Sequence, residues 1–140
     1  MARSLTRVVQ FRAEHHYWRP DWSPEENRAA FGAAADAPGH VHEYRCAVTV
    51  TGSLSRDTGM IMDLGLLDRI LEEEIVRPLD GRHLNRDVAY FSYGGAIPTC
   101  EELAGYLYAR VAPRLPAGVR LERVRVEEDP TLYAECTGLD

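Results

Sequence analysis

Imidazoles at the ends of two alternating runs constrain this chain more than any other feature. Successive side chains on a strand point to opposite faces. Around Val41–Val50, His40, His42, Tyr44, Cys46, Val48 and Val50 therefore share one face. Val9, Phe11, Ala13 and His15 form a second such face upstream. Each run is apolar at one end and imidazole at the other, so paired strands would gather their histidines at one end of a buried side. Two imidazoles at i and i+2, with a third from a neighbouring strand, match a three-histidine zinc site with one coordination position open. A chance loop pair or a satisfied pair in the core would leave the same trace, so the rest of the chain has to decide.

The chain has 140 residues, 45% of them hydrophobic, which predicts one domain, residues 1–140, with a core of its own. Cys46, Cys100 and Cys136 are an odd set without C-x-x-C spacing, which suits a reducing compartment better than a disulfide framework. No signal-type apolar core follows Met1, and no apolar run approaches membrane-spanning length. The expectation is a cytoplasmic protein with no membrane partner. A net charge of −6 lacks the basic footprint that nucleic-acid binding needs, so no such partner is expected. All 16 basic residues are arginine, which removes Schiff-base lysines and Walker-type phosphate loops from consideration.

Along the chain, the first strand is expected over Leu5–His16 and the second over His40–Ser53, ending in a turn around Ser55–Gly59. Between them, Ser23-Pro24-Glu25-Glu26 has the form of a capping box opening a short helix through Phe31. Asp63 caps a helix with the stripe Leu64, Leu67, Ile70, Leu71 and Ile75, which Pro78 is expected to stop. A second helix opens at Thr99, with Glu102 three residues on, and closes at Pro113 and Pro116. Strands over Arg120–Glu128 and Leu132–Cys136 finish the order ββααββ. The expected fold is α+β, a four-stranded antiparallel sheet with two helices on one face. Its long edge strands invite pairing with another subunit.

Six short segments, taken in order, carry a family resemblance. Phe11-Arg12-Ala13-Glu14-His15 resembles the F-x-A-x-H opening of the family of 6-pyruvoyl-tetrahydropterin and 6-carboxytetrahydropterin synthases. Gly39-His40-Val41-His42-Glu43-Tyr44 is similar to its H-G-H-N-Y segment, and Gly59-Met60-Ile61-Met62-Asp63-Leu64 to its G-M-V-x-D-F. Leu79-Asp80-Gly81-Arg82-His83-Leu84-Asn85 resembles L-D-H-x-x-L-N. Pro98-Thr99-Cys100-Glu101 resembles P-T-x-E-N, and Glu128-Asp129-Pro130-Thr131 the closing E-T-P-T.

The resemblance implies a tunnelling-fold subunit that closes with others into a homotrimer or homohexamer. It implies a zinc ion on His15, His40 and His42, the same three residues that the strand pattern selects. It further implies that Glu128 accepts hydrogen bonds from the ring of a pterin substrate, with Thr99 and Glu101 lining the pocket. The expected activity is that of a zinc-dependent lyase on 7,8-dihydroneopterin triphosphate or a related dihydropterin, closest to 6-carboxytetrahydropterin synthase. Side-chain cleavage to 6-hydroxymethyl-dihydropterin is a second reading, and a non-catalytic zinc protein binding a pterin or purine a third.

Two positions depart from the family pattern. The family's basic cysteine falls at Asp36 or, allowing for a longer loop, at Ala34, and no cysteine is near. The histidine that should follow Asp80 is Gly81. Asp36 is one candidate base, although an ordinary aspartate titrates near 3.9 and burial would have to raise it considerably. His83 paired with Asp80 is the preferred alternative.

Overall fold

A computed structural model describes residues 2–138. β1 (Ser4–His15) and β2 (His40–Gly52) pair antiparallel along their whole length, from Ser4 opposite Thr51 to His15 opposite His40. This register follows from the alternation, because any one-residue slip would turn Phe11, Ala13, Tyr44, Cys46 and Val48 into water. The chain then returns in β4 (Val119–Asp129), antiparallel to β2, and β5 (Leu132–Cys136) lies on the edge.

A fifth strand was not foreseen. β3, only Arg82–His83, runs parallel to β1 against Ala13 and Glu14, giving the order β3-β1-β2-β4-β5 and a mixed sheet. Two residues are too short to show an alternation, so the sequence carries no mark of it. β3 covers only the end of β1, the Asp80–Gly81 turn bonds Arg12, and the outer edge of Ser4–Phe11 stays open.

The helices lie where the caps place them. α1 (Pro24–Phe31) has the full reciprocal box between Ser23 and Glu26. α2 (Leu64–Leu71) starts at the Asp63 carboxylate, which accepts from the Leu66 N–H. α3 (Cys100–Val111) is capped by Thr99, which accepts from the Glu102 N–H. Glu102 does not complete that box; its carboxylate accepts from the Tyr90 hydroxyl instead.

Pro78 does not stop α2 where expected. The helix widens into a π-turn over Glu72–Val76 and runs on through Arg77–Leu79. Proline has no N–H, and its ring crowds the carbonyl four residues back, here Glu74. A π-turn relieves that crowding, and the freed Glu74 carbonyl accepts from Arg110 Nε at 3.3 Å.

One sheet face, built from Phe11, Tyr44, Cys46, Val48, Val124 and Val126, packs on Leu67, Ile70, Ile75, Leu103 and Leu107 of the helices. Phe91 is fully buried in that core, its ring tilted against Tyr106 with centroids 5.2 Å apart. Phe91→Ala should therefore cost about 3–5 kcal/mol, read as a shift in the urea midpoint. The opposite face carries no helix and is lined by Arg12, Glu43, Arg45, Arg125 and Glu127 in ion-paired rows. No helix among the described residues is long and apolar enough to cross a membrane.

Candidate active site

The polar end of the buried face holds the site. His15 closes β1 and sits directly across from His40 on β2, while His42 lies opposite Ala13. All three project from the core side of the sheet. His15 and His42 have ring centroids 4.7 Å apart. Glu128, near the end of β4, brings Oε1 to 3.2 Å from His42 Nε2. One ligand atom from each of His15, His42 and Glu128 lies within 4.8 Å of the other two. Two imidazoles and a carboxylate are a donor set suited to zinc.

His40 does not join that cluster. Its Nε2 lies 2.6 Å from the Ala33 carbonyl, so the ring donates to the loop before β2. The backbone places its Cβ beside His15, as expected, but the carbonyl decides where the ring points.

Tyr44 sets the orientation of His15, its hydroxyl lying 2.7 Å from Nδ1. Such outer partners fix the ring of a metal-ligating histidine. Burial, with the nearby His42 and His40, pushes the His15 imidazole from 6.5 down to about 3. The ring is therefore neutral near pH 7, as metal binding requires. The metal-free unfolded chain takes up this proton at a higher pH than the folded one does. Stability from this group is complete above pH 6.5 and declines as the pH falls towards 3. His15→Asn should flatten that part of the stability–pH curve, measured as urea midpoints of the metal-free protein.

Glu128 has a second partner that the sequence did not suggest. Cys100, buried in the first turn of α3, points its thiol at Glu128 Oε2 from 3.6 Å. Burial and the Glu128 charge push that thiol up to about 12, so it stays protonated and donates. Tyr17, half-buried beside His15, is likewise pushed above its ordinary value, by burial first and Glu128 second. Thr99 caps α3 beside Cys100, and Glu101 is exposed on the first turn, near enough for its charge to raise both Cys100 and Tyr17.

The remaining expected residues lie elsewhere. The Asp80–His83 pair is not formed: Asp80 is exposed and its Oδ1 accepts from the Arg12 N–H at 2.9 Å. Gly81 N–H donates back to the Arg12 carbonyl, so this turn is tied to β1 and Asp80 is spent on it. His83 is buried, and its Nε2 lies 2.8 Å from the Pro38 carbonyl. Among the described residues, His83 Nδ1 is the one buried side-chain polar atom without a partner. The residue borders a cavity of about 270 Å³ with Arg12, Glu14, Gly81, Arg82 and Asp87, apart from the His15–His42–Glu128 cluster. Asp36 is exposed and borders a separate cavity with His16, Trp18 and Arg28. A Cβ on Gly81 would meet nothing within 4 Å, so the position after Asp80 has open space around it.

Comparison with known proteins agrees with this architecture. Residues 4–139 match the family described as 6-pyruvoyl tetrahydropterin synthase. The chain is 38% identical over 124 residues to 6-pyruvoyl tetrahydrobiopterin synthase of Homo sapiens, covering 89% of this chain and 83% of that one. To the protein of the same name from Poecilia reticulata it is 39% identical over 124 residues, covering 89% and 82%. The solved structure of Caenorhabditis elegans 6-pyruvoyl tetrahydropterin synthase superposes with a TM-score of 0.90 at 27% identity, covering 99% of this chain and 97% of that one. With its fold, its motifs and its length all accounted for, this chain belongs to the 6-pyruvoyl tetrahydropterin synthase family.

Proposed function

We propose that this protein is a zinc-dependent lyase acting on 7,8-dihydroneopterin triphosphate. The observation that carries the reading is the convergence of His15, His42 and Glu128 at one end of the sheet. His15 and His42 would hold the metal, with His40, opposite His15 on the ladder, as third ligand. Glu128 is then free to anchor the ring. A zinc ion there supplies Lewis acidity towards the side-chain hydroxyls of the substrate.

The chain's own groups do the rest. Glu128, steadied by the Cys100 thiol, offers its oxygens to the amino and ring N–H groups of the pterin, a charge-assisted pair that sets ring orientation. Thr99 and Glu101 flank that position. Proton movement falls to His83, whose Nε2–H is held by the Pro38 carbonyl and whose Nδ1 keeps a bare lone pair. Asp36, exposed beside His16, Trp18 and Arg28, is the weaker candidate. His83→Gln should lower turnover by about 10²–10⁴ with zinc content unchanged, while Asp36→Asn should change little.

The curated relatives are named for a 6-pyruvoyl product, which favours elimination of triphosphate with the side-chain carbons retained. A 6-carboxytetrahydropterin product, expected from the motifs, is the second reading from the same substrate. Identifying the product by mass spectrometry separates the two. Intact substrate that nonetheless binds would mean a pterin-binding protein without catalysis, which the vacated Ala34 and Gly81 positions favour.

The subunit should also assemble as a trimer or hexamer. The open edge of β1 over Ser4–Phe11 and the edge strand β5, with Leu132 and Tyr133 exposed, lie at opposite sides of one sheet. Ring closure would remove both edges. A monomer in sedimentation at micromolar concentration would contradict this.

A further inference from the structure

Around Glu128 the polar side chains are nearly all engaged. Glu128 Oε2 takes the Cys100 thiol at 3.6 Å, and Oε1 lies 3.2 Å from His42 Nε2. The Tyr44 hydroxyl is 2.7 Å from His15 Nδ1, and the Thr99 hydroxyl accepts the Glu102 N–H. Tyr17 is different. Among the described residues its hydroxyl has no hydrogen-bond partner, and the ring is held by aromatic packing.

That packing fixes where the phenol stands. Tyr17 comes two residues after His15 and continues the row Phe11, Ala13 and His15 beyond the end of β1. Its ring lies against His15 with centroids 4.6 Å apart, and Phe31 meets it edge-on at 5.9 Å. Its N–H is bonded to the Ala34 carbonyl at 3.0 Å, so backbone and ring are both tied. The side chain is half-buried. Glu128 is the charge that bears on its hydroxyl most strongly, with Cys100 and Glu101 next, so the phenol faces the carboxylate and the first turn of α3.

We propose that Tyr17 determines which rings the pocket accepts: its hydroxyl donates to the 4-oxo oxygen of a pterin whose amino and ring N–H groups are taken by Glu128. The inference rests on the proposed anchoring of the ring at Glu128. Along that edge a pterin presents a donor, a second donor and then an acceptor. A carboxylate only accepts, so Glu128 serves the two donors and repels the carbonyl oxygen beside them. Glu101, the other carboxylate nearby, cannot serve it either. The third position needs a donor that stands next to Glu128 and has no other obligation, and Tyr17 is the side chain that meets both conditions. A pocket that hydrogen-bonds the oxygen then disfavours rings that lack it.

The test deletes the bond from either side. Pterin and 2-aminopteridine differ only in the 4-oxo group and its ring N–H, and both are titrated by fluorescence, to millimolar ligand, against the wild type and Tyr17→Phe. The variant keeps the ring that packs on His15 and Phe31. It should bind pterin about three- to tenfold more weakly, the effect of one net hydrogen bond, and 2-aminopteridine within about twofold of the wild type. Tyr17→Leu, which removes the ring as well, should weaken both ligands. If Tyr17→Phe weakens both equally, Tyr17 only packs, and the assignment is overturned. If it weakens neither, the oxygen is held by an unpaired N–H of the first turn of α3, and the assignment is overturned again. A wild type that binds neither ligand overturns the pterin reading itself, a result distinct from either.

Discussion

His42→Ala is expected to abolish zinc retention and turnover together. His42 stands at the centre of the cluster, 4.7 Å from the His15 ring and 3.2 Å from a Glu128 oxygen. Loss of an outer partner of a metal ligand typically costs about 10–100-fold in affinity, and loss of a ligand itself must cost more. Zinc content after dialysis should fall from about one per subunit to background, and activity with it. Folding should survive. His42 is only half-buried at a strand end, so its truncation leaves the apolar core intact. Glu43→Gln, one residue on and exposed on the other face, should keep both zinc and activity, because alternation puts it on the far side of the sheet. Equal losses in the two variants would mean that the metal lies elsewhere.

Glu128→Gln is expected to separate ring binding from metal binding. Each hydrogen bond to a charged carboxylate contributes about 1.5–3 kcal/mol, and truncating one partner of a buried charged pair costs about 2–5 kcal/mol. Affinity for a dihydropterin should therefore fall about 10²–10³-fold, since each 1.4 kcal/mol is about tenfold. If His40 is the third metal ligand, zinc content stays near one per subunit in this variant. If zinc is lost as well, Glu128 belongs to the metal and the ring is held by something else. Calorimetric titration with neopterin, paired with elemental analysis, reads both quantities.

The residues that make these predictions were legible in different degrees. His15 and His42 came from a period of two, because backbone alternation fixes which side a Cβ takes and the apolar partners fix which side is buried. The same rule placed His40 on the correct face but left its ring undetermined, since its direction is set by a carbonyl on a loop without periodicity. Glu128 came from the resemblance of Glu128–Thr131 to the family's closing motif, and the structure puts it near the end of β4. Its thiol partner was not foreseen, because Cys100 comes from a helix that crosses the sheet, and no spacing connects residues 28 positions apart.

The losses elsewhere have similar causes. Pairing Asp80 with His83 assumed that neighbours in sequence meet through their side chains. Instead Asp80 accepts from the Arg12 N–H and pins the turn to β1. β3 was invisible because two residues carry no pattern. The stop assigned to Pro78 failed because Arg110, from a different helix, satisfies the carbonyl that proline displaces. Periodicity and caps report what a segment does by itself, and these features depend on contacts between segments.

The account's central claim is that this site performs pterin chemistry with Ala34 and Gly81 at two positions of the expected motif. Its most direct test is to incubate the zinc-loaded protein with 7,8-dihydroneopterin triphosphate and follow triphosphate release and the pterin product by mass spectrometry. The account predicts zinc-dependent release of triphosphate with formation of a 6-pyruvoyl product, suppressed in His42→Ala and Glu128→Gln. Substrate that binds at the site and is recovered unchanged would contradict it.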